Sequence, residues 1–302
     1  MITCSAPGKV YLFGEHAVVY GYSAICCAID LRTRVHVEHS DSIMIESSLG
    51  MTRLDLEIHP YVTKVIEKMQ EFTEIRGVKI KIESEIPVGS GLGSSAAVTI
   101  ASIQALNELF SCNLKSEDIA IIGHEIEKQV QGSASPTDTY VSTMGGVVMI
   151  PERKKLNSID CAIVIGNTGK FSSTKKLVAN VGELRGEFPN IIDPILTSIG
   201  DMSHNAEIFV NHGDYSSIGK LMNVNHGLLD AIGVGGAELS ELVYAARNSG
   251  AISAKITGAG GGGCIVALAN DTDIENVAKA IRNTGAEAMI TRNTDKGVRL
   301  ES

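Results

Sequence analysis

At 302 residues the chain is long for a single core and suits two domains with ample surface to bury. Its 44% hydrophobic and 20% charged residues, 31 glycines and absence of tryptophan describe an ordinary soluble α/β protein. The net charge of −9 argues against a nucleic-acid or anionic-membrane partner, because polyphosphate needs a basic face, yet a small anion held by glycine N–H groups and one lysine stays compatible with it.

Cys4, Cys26, Cys27, Cys112, Cys161 and Cys264 show no CxxC spacing and mostly lie in apolar runs, so they read as reduced, buried thiols. The first residues carry neither a basic nor an apolar leader segment, and no apolar run reaches the ~18–20 residues of a membrane span. The expectation is a soluble, cytoplasmic protein.

Val10 to Phe13 is strand-like, and Gly14-Glu15-His16 interrupts it before a second apolar run, Ala17 to Tyr20. A charged pair between strand-like segments is either an exposed turn or a polar site in a cleft, and taken alone the residues favour the turn. Ala24 to Ile29 reads as a buried strand, Arg34 to Glu38 as a strand with one wet face, and Ile43 to Ile45 as another. Pro60 opens a helix with Val62, Val65, Ile66, Met69 and Phe72 on one face.

Val78 to Glu83 alternates apolar and charged residues as a half-buried strand does, and Val98 to Phe110 runs unbroken with Ile100, Ile103 and Leu106 at helical spacing. Between them lies Pro87–Ala97 (PVGSGLGSSAA), whose Gly89, Gly91 and Gly93 let backbone N–H groups approach an anion and whose serines offer hydroxyls. A helix N-terminus beyond the loop favours negative charge by about 0.3–1 kcal/mol. A Walker loop is excluded because no lysine lies between Lys81 and Lys115, and a dinucleotide fingerprint because Ser94 stands at its third glycine. The plain alternative is a glycine turn joining strand to helix.

Ser116 begins a further helix, with Glu117 and Asp118 in its first turn and Ile119, Ile122, Ile126 and Val130 on its buried side. Glu127 lies beside that stripe and by itself reads as a solvated carboxylate. After Gly132, residues Ser133 to Asp138 form a small-residue loop in which Asp138 reads as a cap of the next turn. Gly145-Gly146 leads into a strand, and the charged connector Pro151 to Lys155 marks the expected domain boundary, giving domains 1–153 and 154–302.

Beyond it, Cys161 to Ile165 is a strand, residues from Pro189 to Asn248 are largely helical with breaks near Gly200, Gly213 and Gly233 to Gly236, and Ile252 to Ile256 is a strand. Gly258 to Gly263 formally matches Gly-x-Gly-x-x-Gly, but the strand Cys264 to Leu268 follows it where a dinucleotide site needs a helix. A helix over Asp273 to Arg282 and a strand over Ala286 to Thr291 close the chain.

Three segments in order, Pro7–Gly21 (PGKVYLFGEHAVVYG), Pro87–Ala97 and Lys255–Gly263 (KITGAGGGG), resemble the three motifs of the GHMP kinases, the family of galactokinase, homoserine kinase, mevalonate kinase and phosphomevalonate kinase. The first motif is similar to the form in members whose acceptor is mevalonate, since galactokinases follow their Glu-His with Thr-Asp. The resemblance implies an α+β fold in two domains, an N-terminal mixed sheet with a left-handed βαβ crossover and a C-terminal α+β domain, with the site in the cleft between. It implies ATP-dependent phosphorylation of the terminal hydroxyl of mevalonate, a small-molecule substrate, with Mg²⁺. A homodimer is an assembly it allows.

It also implies roles. Pro87, Val88, Gly89, Ser90, Gly91, Leu92, Gly93, Ser94, Ser95, Ala96 and Ala97 would wrap the ATP phosphates, and Ser95 and Glu127 would hold Mg²⁺. Asp138 and Lys9 would be catalytic, and Glu15, His16, Ser173, Thr174 and Gly260 would bind substrate. Two departures stand out: the family's Gly-x-Pro-Ser-Gly-x-Asp appears as Gly132 to Asp138 without that order, and its Arg-Ser-Thr appears as Ser172-Ser173-Thr174, one cation short. The alternatives are another acceptor, such as phosphomevalonate, homoserine or a sugar, and a non-catalytic member that binds a nucleotide or metabolite.

Overall fold

The computed structural model describes residues 1–132 and 135–301, so Ser133 and Ala134 of the small-residue loop lie outside the described residues. Two long strands form its spine: β1 (Ile2–Phe13) and β2 (Ala24–His39) pair antiparallel from Ile2↔Val37 to Phe13↔Ile25. The two strand readings over 24–29 and 34–38 thus belong to one strand. Its halves have different neighbours, β6 (Val147–Ile150) along residues 24–27 and β5 (Val78–Ser84) along 33–39, which is why one half reads as buried and the other as alternating.

The expected apolar strand over Ala17 to Tyr20 is instead a short 3₁₀ turn. The chain must reverse there, and it does so through positive φ at Gly14 (94°), His16 (61°) and Gly21 (87°). A side chain on Gly14 would start 2.4 Å from Ala24 Cα, so only glycine lets the turn lie against β2.

The first sheet runs β12 (Arg299–Leu300), β1, β2, β5, β3 (Met44–Ser47), β4 (Gly50–Thr52), with β6 on β2 and β7 (Lys154–Leu156) on β6. It is mixed, because β3 pairs parallel with β5 and the connection passes through β4 and α1 (Pro60–Met69). β7, which begins within the charged connector, and β12, at the far end of the chain, also pair into this sheet. Packed against it are α2 (Ser94–Phe110) and α4 (Pro136–Met144), and α3 (Ser116–Gln131) packs on α1, α2 and α4. Phe72, expected on the buried face of α1, lies past its end and is exposed.

The second sheet is antiparallel throughout, β11 (Glu287–Thr291), β8 (Ala162–Asn167), β10 (Cys264–Ala269), β9 (Ser253–Thr257). Its helices are α5 (Thr174–Glu187), α6 (Pro189–His212), α7 (Tyr215–Ala231), α8 (Ala237–Asn248) and α9 (Ile274–Asn283). The expected break at Gly200 does not occur, and α6 runs through it; a Cβ there would start 2.8 Å from the Tyr22 ring, so this glycine serves close packing. Among the described residues no helix is long and apolar enough to cross a membrane, and all six cysteines are unpaired, five of them buried.

Arg32 ties the chain's end to the spine. Its guanidinium, buried to 1% exposure, donates to Ser5 Oγ (2.6 Å), Ser5 O (3.1 Å), Lys296 O (3.2 Å) and Gly297 O (2.6 Å). Burial pushes it down to about 10, still cationic at neutral pH. Arg32→Met removes every one of these donors and leaves buried acceptors unpaired, so denaturant unfolding is expected to show a loss on the order of 3 kcal/mol; a change below about 0.5 kcal/mol, the range of ordinary surface substitutions, would contradict this account.

Candidate active site

The glycine-serine loop leaves β5 and enters α2 one turn earlier than periodicity suggests, at Ser94, so Ser94, Ser95, Ala96 and Ala97 form the first helical turn. Gly93 caps it at φ 76° and accepts the first helical bond from Ala97 N at 2.9 Å, which leaves the N–H groups of Ser94, Ser95 and Ala96 without helical acceptors. Gly89 (72°) and Gly91 (78°) share this left-handed conformation. β1 fixes the loop from below, because Lys9 N donates to Leu92 O at 2.9 Å.

The second glycine loop fixes it from the other half of the molecule. Side chains on Gly258 and Gly263 would start 3.2 Å from Gly91 O and 3.0 Å from Ser90 O, so the two loops lie backbone to backbone. Gly260 is buried, and a Cβ there would start 2.1 Å from Val234 O. Ser172 Oγ bonds to Gly260 O, while Phe171 reaches over Gly89. Ser173 is the N-cap of α5, accepting from Lys176 N at 3.4 Å, and both it and Thr174 are exposed.

Lys9 stands at the centre. Its ammonium is 3.2 Å from Asp138 Oδ1, 3.3 Å from Gly91 O and 4.2 Å from the centroid of the Tyr11 ring, with the residue only 2% exposed. Asp138 is not a turn cap. It lies in the first turn of α4, where Ser135 is the cap and accepts from Thr137 N at 3.3 Å, so the expected loop becomes helix from Pro136.

Glu127 is likewise not a solvated carboxylate, being 3% exposed, with Ser95 Oγ donating to its Oε1 at 2.7 Å. Burial pushes its carboxyl up from 4.5 to about 7; Asp138 adds to the rise, and the Ser95 hydrogen bond and Lys9 oppose it. Tyr61, which the sequence reading left unassigned, stands beside this pair: its phenol is raised by burial and by the Glu127 charge, with hydrogen bonds from Gln131 and Ser95 opposing. Two hard oxygen donors, one a carboxylate that lacks a cation of its own, fit Mg²⁺. Among the described residues no cluster of three or more His, Cys, Asp or Glu side chains could hold a metal alone, so phosphate oxygens and water would complete the shell.

Glu15 and His16 face the second half. Glu15 Oε1 pairs with Lys255 Nζ, both side chains being essentially unexposed, and Glu15 Oε2 has no hydrogen-bond partner. Burial pushes the Lys255 ammonium down, and Glu15 opposes this. His16 Nε2 donates to Ala259 O at 2.9 Å, and burial lowers its pKa, favouring the neutral ring. Thr257 Oγ1 accepts from Tyr11 N at 2.8 Å. Lys255 and Thr257 sit in the third motif, but nothing in local sequence says which strand they would face.

The GHMP kinases N terminal domain matches residues 60–146 and the GHMP kinases C terminal domain residues 206–287, and the galactokinase galactose-binding signature matches residues 2–39. This chain belongs to the GHMP kinase family. Within it the chain is similar to curated mevalonate kinases of archaea. It is 44% identical to that of Pyrococcus abyssi, covering 100% of this chain and 98% of the relative, and 46% identical to that of Archaeoglobus fulgidus, covering 87% and 91%. The crystal structure of the Methanococcus jannaschii mevalonate kinase superposes with a TM-score of 0.86 at 31% identity over 97% of this chain and 98% of that one. The L. major mevalonate kinase in complex with R-mevalonate gives 0.86 at 25% identity, covering 97% and 96%.

The Glu127 shift has a signed consequence. A carboxyl whose folded pKa is raised costs nothing below about 4.5 and most above about 7, where the folded state must hold the charge; a rise of this size is on the order of 3 kcal/mol. In metal-free buffer Glu127→Gln should therefore raise the melting temperature by about 5 °C at pH 8 and change little at pH 4.5. Equal shifts at both pH values would show that Glu127 does not titrate in this window.

Proposed function

We infer that this chain is an ATP-dependent kinase that phosphorylates the terminal hydroxyl of mevalonate to 5-phosphomevalonate, a step of isoprenoid precursor synthesis in the cytoplasm. One observation carries the reading: one buried ammonium, Lys9, touches both the glycine loop, at Gly91 O, and the Asp138 carboxylate. The similarity to archaeal mevalonate kinases over the full chain supports the choice of acceptor.

Phosphoryl transfer asks a protein to position two reactants and to neutralise charge. The loop from Pro87 to Ala97 binds the ATP phosphates through backbone N–H groups at the open end of α2. Ser95 and Glu127 would hold Mg²⁺, which when bound would neutralise charge on the phosphates. Glu127 would have to be ionised to do so, and its carboxyl, pushed up to about 7 mainly by burial, makes that ionisation pH-dependent near neutrality.

Asp138 holds the proton of the attacking hydroxyl, and Lys9 stabilises the negative charge that develops on the same oxygen. The ion pair orients the two groups before substrate arrives, with Lys9 buried and Asp138 partly open to solvent. Glu15, His16, Gly260, Ser173 and Thr174 surround the acceptor end.

A sugar acceptor is the second reading, favoured by the galactose-binding signature over residues 2–39. A coupled ADP-release assay over mevalonate, phosphomevalonate, homoserine and galactose decides between them. Mevalonate is expected to give the highest kcat/KM, and equal turnover of galactose would transfer the assignment. In the same assay Asp138→Asn should lower kcat by about 10²–10⁴ with ATP affinity nearly unchanged. Its melting temperature should fall, because the variant leaves the buried Lys9 ammonium without its carboxylate even though Ser135 still caps the helix. A kcat within a few-fold of the parent would remove Asp138 from the chemistry.

A further inference from the structure

The segment from Lys255 to Ala259 meets the first half of the molecule at every second residue. Lys255 Nζ pairs with Glu15, Thr257 Oγ1 accepts from Tyr11 N at 2.8 Å and donates to Tyr11 O at 3.3 Å, and Ala259 O accepts from His16 Nε2 at 2.9 Å. Alternation of this kind is the two-residue period of an extended strand, so one face of β9 and its loop sets the register of the whole Tyr11 to His16 turn.

That turn needs holding. His16 sits at φ 61° and ψ −46°, a conformation that residues with a side chain rarely adopt and that persists only where surroundings impose it. Glu15 is 2% exposed and one of its oxygens has no partner, so a single ammonium supplies the charge that makes an ionised Glu15 tolerable there. Lys255 is itself fully buried, and its remaining hydrogen bond goes to the Ile256 carbonyl at 2.6 Å. Neither Lys255 nor Thr257 reaches the Lys9–Asp138 pair through any hydrogen bond of its own.

We propose that Lys255 is a positioning residue for the acceptor site: from the second half of the molecule it holds Glu15, and through Glu15 it fixes the Glu15-His16 turn in the orientation that binds the acceptor alcohol. This rests on the placement of Glu15 and His16 at the acceptor end made above. Lys255 touches neither reactant, and its effect passes through one carboxylate. Lys255 makes no hydrogen bond to the glycine-serine loop or to Glu127.

The test is a double-mutant cycle on Glu15→Gln and Lys255→Met, read as separate KM values for mevalonate and ATP together with melting temperature. Each single variant is expected to raise KM for mevalonate at least about tenfold and to leave KM for ATP within about twofold. The double variant should bind mevalonate no worse than the weaker single variant, and should melt above Lys255→Met, since removing both charges leaves none unpaired. A merely structural lysine would lower the melting temperature and the active fraction, and hence apparent kcat, with both KM values unchanged.

If folded Lys255→Met keeps the parent's KM for mevalonate, or if the two penalties multiply, the positioning role is overturned. If Glu15→Gln itself keeps that KM, the acceptor-end placement fails and the proposal falls with it, so the two failures are distinguishable. Should Lys255→Met not fold, Glu15→Gln/Lys255→Gln measured against Glu15→Gln alone gives the same comparison: an unchanged KM for mevalonate supports the role and a further tenfold rise overturns it.

Discussion

An ammonium group that is almost wholly removed from water must be neutralised where it lies, and Lys9 is in that position. Its partners come from three places in the chain: the Gly91 carbonyl, the Asp138 carboxylate and the Tyr11 ring. Each of these is held by something else. The Gly91 carbonyl is presented by a loop pinned to β1 at Leu92, Asp138 by a helix capped at Ser135, and Tyr11 by the Thr257 hydroxyl across the seam between the two sheets. The organisation of both halves can be read as the support of one charge.

The glycine loops follow from the same requirement of close approach. Gly93 leaves room for the Lys9 side chain, which a Cβ would meet at 3.1 Å from Cγ, and Gly258 and Gly263 let a loop of the second half lie flat on the backbone of the first. Backbone-to-backbone packing of two loops has no hydrophobic side chains to stabilise it. It therefore depends on the neighbouring strands, and the contacts of β9 with the Tyr11 to His16 turn supply that rigidity.

Of the two carboxylates at the site, Asp138 is in contact with the Lys9 ammonium, while Glu127 accepts from the Ser95 hydroxyl. Burial is the largest cause of the rise at Glu127, and the nearby Asp138 charge adds to it. On the proposed reading this asymmetry divides the labour: Asp138 would face the acceptor hydroxyl and Glu127 an incoming cation. Burial, which is expensive for Glu127, makes its charge act strongly on whatever ligand completes it.

Local sequence by itself determined the strand, glycine loop and helix around Pro87 to Ala97, the amphipathic helices at Pro60 and Ser116, and the strand that follows Gly258 to Gly263 and excludes a dinucleotide site there. These depend on short-range sterics and on hydrophobic period, and both are written in neighbouring residues. The resemblance of three motifs added the family. What only the tertiary structure decided is the fate of polar side chains: that Glu127 is buried, that Asp138 is inside a helix against Lys9, that Gly200 packs on Tyr22 without breaking α6, and that Lys255 meets Glu15 from 240 residues away. A carboxylate on a helix face has the same local sequence whether water or another helix covers it, and the cost of burying it is settled by partners that the chain brings in from elsewhere.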